Sequence, residues 1–93
     1  MDRKAFEADL RRQGYQEIRE GKMAANHTST EHAHEFDARV LVLGGEIAIT
    51  GGGRTYRAGE IFEVPAGTRH VEHCGPQGLH YFAGHRHPIK TAV

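Results

Sequence analysis

The chain has 93 residues, with 12 Lys+Arg against 12 Asp+Glu and 38% hydrophobic residues. That fits one small domain with a modest core and leaves no room for a second. A formal net charge of +0 provides no basic excess to hold a phosphate backbone, which argues against nucleic acid as a partner. No apolar run approaches the length of a bilayer span. The opening Met1-Asp2-Arg3-Lys4 has no apolar signal core, so the expected address is the cytoplasm, with no membrane partner.

Residues 1–20 read as a helical lead-in. Phe6 and Leu10 are four apart, Ala5 and Ala8 flank them, and charged residues fill the other face. Asp2 is placed to cap the start, and Gly14 to end the helix in a left-handed turn. Residues 15–20 alternate loosely, as the beginning of a strand would.

From residue 38 the period changes to two. Residues 40–43 read as a β-branched-rich strand broken by Gly44-Gly45, and residues 46–50 alternate polar and apolar. Gly51-Gly52-Gly53 reads as a hairpin turn, residues 54–57 as its return, and Ala58-Gly59-Glu60 as another turn. Residues 61–64 form a strand closed by Pro65-Ala66-Gly67-Thr68. Two more, 70–74 and 79–83, are separated by Gly75-Pro76-Gln77-Gly78. Short strands at this spacing, with no helix between them, predict an all-β sandwich or barrel over residues 21–87. Residues 88–93 have no pattern and are expected to form a flexible tail.

Eight histidines in so short a chain need a reason. They are scattered rather than gathered in one tract, which excludes a tag or a low-complexity metal sponge. His32 and His34 are two apart, so in an extended segment both imidazoles leave the same face, as a shared metal ion requires. His70 follows the Pro65-Ala66-Gly67 turn and is the candidate third ligand. If His70 points inward, alternation turns Glu72 and Cys74 inward as well, and Val71 and His73 outward. Glu72 is the candidate catalytic residue, as a proton carrier or an orienting acid. Asp37 is the nearest carboxylate to the His pair; alternation points it away, and a local bulge would be needed to bring it round. Cys74, the single cysteine, cannot form an internal disulfide and reads as a small buried hydrophobe. His85 and His87 repeat the two-residue spacing, with no third partner apparent in the sequence.

The stretch from His32 to His70 resembles the small single-domain cupins. Their first motif is a glycine, five residues, His-x-His, three or four residues, a glutamate, six residues and a glycine. His32-Ala33-His34 and Gly45 fit it. Their second motif, a glycine, five residues, Pro-x-Gly, two residues, His, three residues and Asn, is fitted by Gly59, Pro65, Gly67 and His70. The opening glycine falls on Asn26, the closing asparagine on Cys74, and the glutamate that usually supplies a fourth ligand on Ala38. The resemblance implies a cupin-type jelly-roll barrel with a short N-terminal helix. It also implies a divalent transition metal, iron (Fe), manganese (Mn), nickel (Ni) or zinc (Zn), held by His32, His34 and His70, with Asp37 as a candidate fourth ligand. A three-histidine set resembles the iron site of thiol dioxygenases of that superfamily. The implied function is a metal-dependent oxygenase-type or isomerase enzyme acting on a small organic molecule. The rival reading is a non-catalytic barrel that binds or senses a small-molecule ligand. Cupins of this size commonly pair, so a homodimer is expected.

Overall fold

The computed structural model describes residues 2–50 and 54–88. The predicted turn at 51–53 and most of the tail at 88–93 lie outside the described residues. Helix α1 (Arg3–Arg12) is followed by β1 (Glu17–Met23), β2 (Asp37–Ile49), β3 (Arg54–Arg57), β4 (Ile61–Val64) and β5 (Glu72–Arg86), all paired antiparallel. The predicted all-β class with one short N-terminal helix is the architecture observed. The first strand starts inside the stretch 1–20 read as lead-in, and it pairs with β5 along its whole length.

Two predicted strand pairs are each one long bent strand. Residues 40–43 and all but the last of 46–50 fall in β2, and the reading of 75–78 as a turn gives way to a continuous β5. The β2–β5 register shifts between Val42 and Gly44 and again between Gly45 and Ile47. Such bulges bend a strand so that its two halves join different sheets. Before the bend β2 lies between β5 and β4; after it, between β5 and β3. The glycines make that corner possible. A Cβ on Gly45 would lie 2.0 Å from the Gly78 carbonyl oxygen, and one on Gly78 would lie 2.4 Å from that of Met23. Both have φ above +70°, which other residues adopt only at a cost.

Alternation along β2 divides the apolar residues between two faces. Val40, Val42 and Ile47 face the interior with Phe62, Val64, Cys74, Leu79 and Ala83. Leu41 and Phe82 face outward, where α1 covers them with Phe6 and Leu10. The Asp2 side chain caps the helix by accepting from the Ala5 N–H at 2.8 Å. Phe6 and Leu10 are fully buried, each contributing about 1.5–3 kcal/mol. Among the described residues no helix is long and apolar enough to cross a membrane.

Candidate metal centre

The stretch before β2 forms no named strand, yet it runs antiparallel beside the start of β5. The Cys74 amide donates to His27 O at 2.8 Å, and the Ser29 amide to Glu72 O at 2.9 Å. The Glu72 amide in turn donates to Ser29 Oγ at 2.9 Å. His32 and His70 exchange both backbone bonds, 3.0 and 2.9 Å, as an isolated bridge. The Gly67 amide closes the series by donating to His34 O at 2.8 Å. Asn26, where the family motif opens with glycine, starts this run at φ 58°. A short polar side chain tolerates that left-handed geometry.

The bridge sets His32 and His70 side by side, and extended backbone brings His34 and Glu72 to the same face. One ligand atom from each of His32, His34, His70 and Glu72 can be chosen so that all lie within 4.8 Å of one another. Ring centroids are 4.7 Å apart for His32 and His34, 4.3 Å for His32 and His70, and 5.3 Å for His34 and His70. His70 is buried, at 2% exposure.

The donor set fits a cation. His32 Nδ1 lies 2.8 Å from Thr30 O, and His70 Nδ1 lies 3.0 Å from Thr68 O. A carbonyl only accepts, so both Nδ1 atoms carry hydrogen, and in a neutral ring that leaves Nε2 as the lone-pair atom. Those Nε2 atoms stand 3.7 and 3.4 Å from Glu72 Oε1. Three lone-pair atoms facing one point repel each other unless a proton or a metal ion lies between them. Two ligands of one ion, with bonds of about 2.1 Å, lie roughly 3–3.6 Å apart. Burial, and then the neighbouring His32 and His70, lower the pKa of His34, which favours the neutral, ligating ring.

Glu72, predicted as a proton carrier beside the ligands, lies with its carboxylate within 4.8 Å of the histidine nitrogens, close enough to share a metal ion with them. Asp37 does not join them. Its Oδ1 accepts from the Ala66 amide at 2.8 Å, and its Oδ2 accepts from Arg86 Nη2 at 3.1 Å. The β2 bulges lie farther along the strand, so alternation is intact at position 37 and nothing turns the side chain toward the pair. Ala38 packs inward among the interior apolar residues. Position 38 thus offers no carboxylate, and the acid beside the histidines comes from β5. Cys74 is fully buried with Sγ 3.8 Å from Met23 Sδ. Burial, and secondarily Glu72, raise its pKa, which leaves an unreactive thiol.

Phe36 joins the cluster to the wall of the barrel. It stacks on His34 at 4.6 Å between centroids and on His85 at 4.0 Å. His85 also borders an apolar interior space of about 80 Å³ whose walls include Met23, Val40, Phe62 and Tyr81. Sequence reasoning did not mark Phe36, because its role depends on partners from two distant stretches.

No protein-family model and no curated protein matches the sequence. Solved structures do. An RmlC-like cupin from Shewanella frigidimarina superposes with a TM-score of 0.64 at 21% identity, over 78% of this chain and 67% of that one. A chain of the complex of Rhodobacter sphaeroides SigE with the anti-sigma ChrR gives 0.62 at 18% identity, over 72% and 36%. A cupin 2 conserved barrel domain protein from Salinispora arenicola gives 0.58 at 22% identity, over 74% and 60%. The chain therefore spans between about a third and two thirds of the length of these neighbours. It has the fold of a small cupin barrel.

Proposed function

We propose that this cupin-fold chain binds one divalent transition metal, iron, manganese, nickel or zinc, through His32, His34, His70 and Glu72, and acts as an oxygenase-type enzyme on a small organic molecule. The observation that carries the reading is the pair of imidazoles committed through Nδ1 to backbone carbonyls, with both Nε2 atoms facing one carboxylate oxygen. Such an ion, when bound, supplies Lewis acidity or redox capacity and open positions for small molecules. The chain's own residues do the rest. The bridge between His32 and His70 holds two rings at fixed spacing, and Phe36 fixes the plane of His34 by stacking. The small apolar space bordered by Phe62, Val40 and Met23 suits a compact, uncharged part of a substrate. Glu72 presents Oε1 to the histidines, which leaves Oε2 to take a proton from a bound molecule.

Metal analysis of protein purified without an affinity tag tests the first half of this reading. His70→Gln should lose one equivalent that wild type holds or regains when iron, manganese, nickel or zinc is added. Fewer than about 0.2 equivalents in wild type, unrestored by any of the four, would overturn the metal site. Oxygen uptake with thiols, diketones and phenols tests the second half. A loaded protein that consumes no oxygen, yet gains thermal stability from one of these compounds, would make it a binding module instead.

A further inference from the structure

Three side chains outside the cluster meet on the other side of Phe36. In the β1–β5 register Glu17 lies directly opposite His85. His87 follows two residues later, so in extended chain it leaves the same face. Glu17 Oε2 is 3.9 Å from His85 Nδ1, and Glu17 Oε1 is 3.7 Å from His87 Nε2. Both rings lie against Phe36, with centroids at 4.0 and 6.0 Å. The three border a cavity of about 570 Å³, which Asp37 and Gln16 also reach.

We infer that Glu17, His85 and His87 form a second divalent-metal site, distinct from the first and independent of whether that one is filled. Two imidazoles and one carboxylate suit a borderline ion such as zinc, nickel or copper(II), with the remaining positions open to the cavity. The site joins the edge strand to the end of β5. His85 is mostly buried, while the side chains of His87 and Glu17 are 63% and 54% exposed. Glu17 already stands within 4 Å of each ring, and closing the set onto one ion calls for rotation of the exposed Glu17 and His87 side chains. Desolvation, with Arg19 adding to it, lowers the pKa of His85, so the ring is neutral and able to ligate at neutral pH.

The test uses the full chain, stripped with a chelator and titrated with zinc at pH 7.5, with bound zinc counted after dialysis. Glu17→Gln and His87→Gln should each bind one equivalent fewer than wild type, and His70→Gln should retain the equivalent that Glu17→Gln loses. Copper(II) bound to His70→Gln should show coupling to two nitrogens, a signal that His70→Gln/His87→Gln loses. If Glu17→Gln and His87→Gln bind as much zinc as wild type, the second site does not exist. The two centres fail separately. Without the first, wild type binds a single equivalent that His70→Gln keeps and Glu17→Gln loses. Both tested positions are exposed, so a change in folding does not confuse the count.

Discussion

Asn26 shows how one residue can hold a site without touching it. Among the described residues it is the one non-glycine with positive φ, and its amide donates to Gly75 O at 2.9 Å at the start of the stretch that carries His32 and His34. Asn26→Ala should cost about 1–2 kcal/mol in urea denaturation, and Asn26→Gly should be close to neutral. Asp37 has a different kind of consequence. The Ala66 amide first, and then Arg86, hold its carboxylate below the ordinary pKa. In the acid range the unfolded chain therefore binds this proton before the folded one does. The stability from Asp37 is complete above about pH 4 and is lost as pH falls below it. Asp37→Asn should flatten the acid limb of a thermal-stability profile and leave the neutral region parallel to wild type. At this scale the three histidines and the inward turn of Glu72 were legible from spacing and alternation. The fate of Asp37 was not, because Arg86 lies 49 residues away and only the strand register brings the two together.

The long strands carry the second lesson. Glycines at 44–45 and 75–78 look like ends of strands in one dimension. In space they lie where β2 and β5 bend, and at Gly45 and Gly78 another stretch of backbone passes too close for a Cβ. Pro76 belongs to the same bend; residues 75–78 have no ladder partner on β2 until Leu79 meets Gly45, so no N–H is missed there. The two kinds of glycine separate experimentally. Gly45→Ala sets a methyl against a carbonyl and strains φ, and should cost several kcal/mol or prevent folding. Gly59, at φ +88° with nothing within 4 Å of a Cβ, should tolerate alanine for about 1 kcal/mol. The helix was legible because its period and its cap are local. Leu10→Ala should cost about 2–5 kcal/mol in the same assay, since Leu10 fills a sealed space between sheet and helix.

Taken whole, the molecule is a small barrel with two apolar clusters, one inside and one under the helix. A domain of this size has little stability to spare, so a bound ion changes it measurably. Metal at a hundred times its dissociation constant adds about 2.7 kcal/mol, which should raise Tm on the order of 10–20 °C. His70→Ala should remove the share of that rise owed to the histidine centre, leaving only what the Glu17, His85 and His87 site contributes, while the apo protein keeps its β-rich circular dichroism. A mutant that still gains the full shift would assign the stabilisation to other residues.

The bridge between His32 and His70 is a lone rung, flanked by chain that belongs to no named strand. Lone rungs open easily, because few neighbours must break with them. An ion gripping both rings would clasp that rung shut from the side-chain end. Deuterium should therefore enter the amides of His32 and His70 readily when the centre is empty and slowly when it is filled. Those two protons would then gauge occupancy from atoms that never contact the metal.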